Sequence, residues 1–148
     1  MIPILIVIAI LVIGIALFFT NKKIAKITEE EYLEMSFSGP WSDSIITGAH
    51  IQRIGEWCRL YIKGSTANNE GGPATYITSS ALPEKYRPKT TVTGMLVDVV
   101  SNNVNQTGVA HLFSGGKLII YATVPFGNFS TSGNVGFKDM VLQWTVNN

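Results

Sequence analysis

Residues Ile2 to Phe19 form an unbroken apolar run of eighteen residues, followed at once by Thr20, Asn21, Lys22 and Lys23. A helix rises about 1.5 Å per residue, so the run reaches about 27 Å, close to the hydrocarbon thickness of a thin bilayer. A secretory signal would carry a charged leading region, a shorter apolar core and a small-x-small cleavage site. Met1 instead leads straight into the run, and Ala16-Leu-Phe-Phe-Thr20 offers no such site. The expected element is a retained transmembrane helix over residues 1–20, with the anchor running from Ile2 to Phe19 in the lipid bilayer. Pro3 fits the first helical turn, which has no intrahelical donor bonds to lose. Lys22, Lys23 and Lys26 follow the run and no basic side chain precedes it, so the positive-inside rule puts the C-terminal part on the cytoplasmic side.

The chain then divides into a connector over residues 21–40 and a single domain over residues 41–148, large enough for its own core and too small for two. From Trp41 onward eight Lys/Arg stand against six Asp/Glu, a surplus of two, which gives no electrostatic case for a nucleic-acid partner. Cys58 is the only cysteine, so no intrachain disulfide forms, in keeping with a cytoplasmic side. Asn105-Gln-Thr107 and Asn128-Phe-Ser130 match the glycosylation acceptor pattern and stay unmodified on that side.

Thr28-Glu-Glu-Glu31 has the form of a capping box, which predicts a short helix from Glu29 to about Met35, ended by Gly39-Pro40. Downstream the texture changes to short β-branched and aromatic runs between Gly, Asn, Ser and Pro clusters. The predicted strands are Ser44 to Arg53, Glu56 to Lys63, Ala74 to Thr78, Thr91 to Val100, Val109 to Ser114, Lys117 to Val124 and Phe137 to Val146. Ile54-Gly55-Glu56 and Gly115-Gly116 are short enough for antiparallel hairpins. Cys58, Leu60 and Ile62 alternate with Trp57, Arg59, Tyr61 and Lys63, so the first set should face the core. Lys117 to Val124 is apolar on both faces, as expected of a central strand or one at a subunit contact. The polar segments Ser65 to Pro73 and Ser101 to Thr107 are expected as exposed loops. The fold class expected is all-β, an antiparallel β-sandwich of jelly-roll type behind a single N-terminal transmembrane helix, with sandwich and jelly-roll topologies both open.

Four stretches carry a family resemblance: Ile51-Gln-Arg-Ile-Gly-Glu-Trp-Cys-Arg-Leu-Tyr-Ile-Lys-Gly64, Leu82-Pro-Glu-Lys-Tyr-Arg-Pro88, Gly115-Gly-Lys-Leu-Ile-Ile120 and Gly136-Phe-Lys-Asp-Met-Val-Leu-Gln-Trp144. Together they resemble the C-terminal tip domain of bacteriophage tail fibres. Pro83 and Pro88 fix φ and lack a donor, so the segment between them must be a corner, where Tyr86 buries its ring and its hydroxyl finds a backbone partner. The resemblance implies a viral structural β-sandwich, usually trimeric and surface-recognising, with no catalytic residue. Fibre tips sit on a long shaft, whereas only about 20 residues, Thr20 to Gly39, separate this domain from the apolar run. That plan is similar to membrane-anchored minor capsid proteins of large DNA viruses. It implies a virion protein linking an internal membrane to the capsid shell, with other capsid proteins as partners and the domain on the cytoplasmic-derived side. The alternative is an outward-facing, tail-fibre-like adhesin for a receptor or glycan. A host membrane scaffold unrelated to viruses is a third class.

No enzyme is expected and no cofactor is implied. His50 and His111 lie in predicted strands without Cys partners or metal-ligand spacing, and Asp43, Asp98 and Asp139 are scattered. Ser114-Gly-Gly lacks the Gly-x-Ser-x-Gly form of a nucleophile elbow. Aromatic side chains stack on sugars or fill interfaces, which makes Trp41, Trp57, Tyr61 and Tyr76 the candidate interface or glycan contacts.

Overall fold

The computed structural model describes residues 10, 12–19, 28–41, 43–69 and 71–146. Residues 12–19 are helical, and their large apolar side chains are all exposed, from Ile15 at 49% to Phe19 at 65%. Among the described residues no helix is long and apolar enough to cross a membrane. The remainder of the anchor expected from Ile2, and with it Lys22, Lys23 and Lys26, lies outside the described residues.

The rest is all-β. The strands are β1 (Thr28–Ser38), β2 (Ile45–Ile54), β3 (Trp57–Ile62), β4 (Ser65–Asn68), β5 (Ile77–Ser79), β6 (Val92–Ser101), β7 (Val104–Leu112), β8 (Leu118–Tyr121), β9 (Asn134–Phe137) and β10 (Met140–Thr145). They form one antiparallel sheet in the order β10-β3-β2-β1-β5-β8-β7-β6-β9-β4. In place of two separate sheets, this single sheet curls into a half-barrel and packs its inner faces together as a sandwich does. One wall is β10-β3-β2-β1 and the other is β8-β7-β6-β9-β4, with short β5 between them. Phe37 of β1 meets Phe137 of β9 across the interior at 4.7 Å between ring centroids, and the Trp41 indole N–H donates to the Val135 carbonyl at 3.2 Å.

The curl originates in a bent ribbon. β3 runs on through Lys63-Gly64 into β4, and β9 runs on through Lys138-Asp139 into β10. Ile62 pairs with Met140 in one wall and Ser65 with Phe137 in the other, so the two strands cross the corner together. A Cβ on Gly64 would stand 2.6 Å from the Lys138 carbonyl carbon and the Asp139 nitrogen, so only glycine lets the backbones approach this closely. Asp139 clasps the corner, accepting from the Gly64 N–H at 2.7 Å and from the Tyr61 hydroxyl at 2.6 Å. The strand expected over Phe137 to Val146 is therefore two strands, divided at this bend.

Three local readings yield to strand pairing. The segment after Thr28 is not a helix: it is β1, paired with β2 from Thr28 opposite Ile54 to Phe37 opposite Ile45. Its alternation turns Glu29, Glu31, Leu33, Met35 and Phe37 to the inner side, and ten cross-strand pairs outweigh one capping box. Ser65 to Asn68, expected as loop, is β4 because β9 supplies its ladder. The Asn102-Asn103 turn, with φ of 52° and 65°, joins β6 to β7 as a tight hairpin, so Val104 to Thr107 is strand as well.

The Pro83–Pro88 corner closes one end of the core. Tyr86 is fully buried, and its carbonyl accepts from the Trp144 indole N–H at 2.8 Å. Its hydroxyl donates not to backbone but to the Glu31 carboxylate at 3.1 Å. Lys85 reaches Glu31 at 3.0 Å and Glu29 at 3.3 Å, which satisfies the two inward-facing carboxylates of β1. The Lys85 and Tyr86 hydrogen bonds hold the Glu31 carboxyl below its usual range. Cys58 is buried in the same core, and burial pushes its thiol up to about 11.

Replacing Gly64 by Ala should cost about 1–3 kcal/mol through forced separation of the two backbones. Urea unfolding checks this, with Gly115→Ala as the control, since a Cβ at Gly115 meets nothing within 4 Å.

Candidate binding face

The outer surface of β10-β3-β2-β1 is built by strict alternation, and its side chains stand in rows across the strands. One row is Tyr32–His50–Tyr61–Val141. The next is polar, Glu30–Gln52–Arg59–Gln143, and the third is Thr28–Ile54–Trp57–Thr145. Tyr32 is 84% exposed and Trp57 64%. As the alternation of β3 predicts, Cys58, Leu60 and Ile62 are buried while Trp57, Arg59 and Tyr61 face out.

The aromatic row is fixed before any partner arrives. Tyr32 stacks on His50 with centroids 4.7 Å apart and planes at 23°. Tyr61 is tied through its hydroxyl to Asp139, and that bond raises the Tyr61 phenol above its ordinary range. The same bond, with the Gly64 N–H, holds the Asp139 carboxyl below the usual carboxylate range. Gln52 donates to Glu30 at 2.7 Å, and His50 Nε2 lies 3.9 Å from the other Glu30 oxygen with no hydrogen-bond partner.

Beside the aromatic row the surface dips into an open groove of about 540 Å³, lined by Tyr32, Glu34, Gly48, His50, Tyr61 and Lys63 among others. Gly48 lies opposite Glu34 and accepts at its carbonyl from the Lys63 N–H, so the groove floor has a carboxylate on one bank and an ammonium on the other.

Of the four aromatic contacts expected from sequence, Trp57 and Tyr61 share this face. Trp41 is core, 8% exposed and hydrogen-bonded to Val135, so it is unavailable to a ligand. Tyr76 stands by the other wall against Tyr121, 5.6 Å between centroids. Tyr32, Glu34, Gly48 and His50 were missing from the expectation; the period-two alternation of Thr28 to Ser38 is the signal that would have found Tyr32 and Glu34. His111 packs under Phe126 and Tyr121. Among the described residues no group of three His, Cys, Asp or Glu side chains could hold a metal ion.

No protein-family model matches the chain, and no curated protein matches it at a significant level. Among solved structures it is similar to a reovirus attachment protein, sigma1, crystallised in complex with alpha-2,3-sialyllactose, at 12% identity and a TM-score of 0.44. The match covers 80% of this chain, which spans about 65% of the length of that one.

Because the Asp139 carboxyl is depressed when folded, its contribution to stability is fully present above the unfolded carboxylate pKa of about 4 and is lost as pH falls through the folded value. Asp139→Asn should therefore be less stable than wild type at neutral pH, and the difference should shrink on acidification below about pH 4. Urea midpoints of both proteins across pH check this.

Proposed function

We propose that the chain is a non-catalytic structural protein of a virion, tethered at a membrane by its N-terminal apolar run, whose β domain acts as an outward-facing adhesin. The observation that carries this reading is the outer face of β10-β3-β2-β1, with an aromatic row held by a ring stack and a hydrogen bond, a polar row beside it, and exposed Trp57 beyond. Aromatic and Arg side chains in this setting are the residue types that dominate recognition energetics, and many tethered copies multiply a weak contact. The virion assignment is supported by the four stretches that resemble phage fibre tips, and the position of Lys22, Lys23 and Lys26 supports placing the domain on the cytoplasmic-derived side. In a particle whose membrane derives from an internal host membrane, that side points away from the genome.

A second reading is the minor capsid bridge, in which the same face grips the inside of a shell. It is favoured by the exposed apolar side chains of the other wall, Leu96 at 69% and Phe126 at 58%, which give the domain a second adhesive side for capsid neighbours or for further copies in a trimer.

Protease treatment of intact purified particles separates the two. The adhesin reading predicts cleavage of the β domain without breaching the shell; protection until the shell is opened contradicts it and supports the bridge.

A further inference from the structure

Gly48 sits in the interior of β2, between two paired neighbours, where glycine weakens a strand and gives nothing to pack. The fold does not require it. A Cβ there would meet nothing within 4 Å, and Gly48 is not among the glycines with positive φ. This contrasts with Gly64, where a Cβ would strike backbone. A glycine with no steric or conformational duty, at the floor of a groove, keeps the floor open for something that comes close to the backbone.

The walls specify what that is. Tyr32 and Tyr61 offer aromatic surface held in place by the His50 stack and by the Asp139 hydrogen bond, so little side-chain freedom is lost on binding. Glu34 and Lys63 face each other across the floor. A ligand of either net charge would be drawn to one bank and repelled by the other, so charge gains it little, while a purely apolar side chain would strip water from both without replacing it. A neutral ring with an apolar C–H face and several hydroxyls satisfies all three, its face on the aromatics and its hydroxyls between carboxylate and ammonium. The groove volume of about 540 Å³ lies within the range of small-ligand sites.

We infer that the groove over Gly48 binds a neutral hexopyranose residue of a surface glycan, with Tyr32 and Tyr61 as stacking walls and Glu34 and Lys63 as hydroxyl partners. The inference rests on the adhesin reading and names its ligand. Its test is saturation-transfer NMR on the full chain in detergent micelles, with the methyl glycosides of glucose, galactose and mannose as neutral probes and methyl sialoside as the anionic one.

At least one neutral glycoside should bind. Gly48→Val, which fills the floor, and Tyr32→Ala should each weaken it by about tenfold or more. Gly48→Val should retain or raise the thermal midpoint, because a β-branched residue enters an open strand position. No response from any neutral glycoside, equal binding by Gly48→Val, or a preference for the sialoside would each overturn the inference. None of these results touches the protease outcome on particles, so failure of the ligand assignment and failure of the adhesin reading are separately visible.

Discussion

The bend at Gly64 and Asp139 makes this domain possible. A ten-stranded sheet left flat would expose one whole apolar face, and here two backbones pass within a distance that excludes even a methyl group, turning the sheet back on itself. Asp139 bonds both sides of the turn, to the Gly64 amide and the Tyr61 hydroxyl. Everything inside follows: Phe37 meets Phe137, Trp41 reaches Val135, and Trp144 reaches the Tyr86 carbonyl under the Pro83–Pro88 corner. A buried indole N–H left without its carbonyl would cost about 1–3 kcal/mol, so these two bonds fix how the core closes as well as how tightly.

The same bend links fold to surface. Tyr61 is both a strut of the corner and a wall of the groove, so the residue that stabilises the curl also orients the candidate binding face. The outer rows of β10-β3-β2-β1 need no further support, because antiparallel pairing sets their spacing and alternation sets their direction. The face presents rings, an imidazole, amides, a guanidinium and the Glu30 carboxylate, with the Glu34 carboxylate and the Lys63 ammonium beside them at the groove.

Much of this was legible in the sequence wherever the signal was local. The alternation from Trp57 to Lys63 placed β3 with the correct face inward, and Gly55 and Gly115-Gly116 marked two hairpins. The two prolines marked the corner that buries Tyr86. What failed was set at long range. Thr28-Glu-Glu-Glu31 reads as a helix start within four residues, yet ten pairs with β2 make it a strand, and its partly exposed inner-side carboxylates pair with Lys85 from far along the chain. That one misreading hid Tyr32 and Glu34, two of the residues that line the groove. Trp41 was open for a related reason: a tryptophan in a small sandwich suits core and interface alike, and only the curl shows that its indole points at Val135.

In the proposed adhesin, recognition thus falls to one face of one wall, pointing outward from the membrane. Photo-crosslinking tests that most directly. Particles carrying benzoylphenylalanine at position 57 on this face, or at position 96 on the opposite wall, are irradiated while bound to host cells. An outward-facing adhesin predicts adducts with a host-surface molecule from position 57 and none from position 96. Adducts from position 57 only to other virion proteins, or host adducts only from position 96, would contradict it.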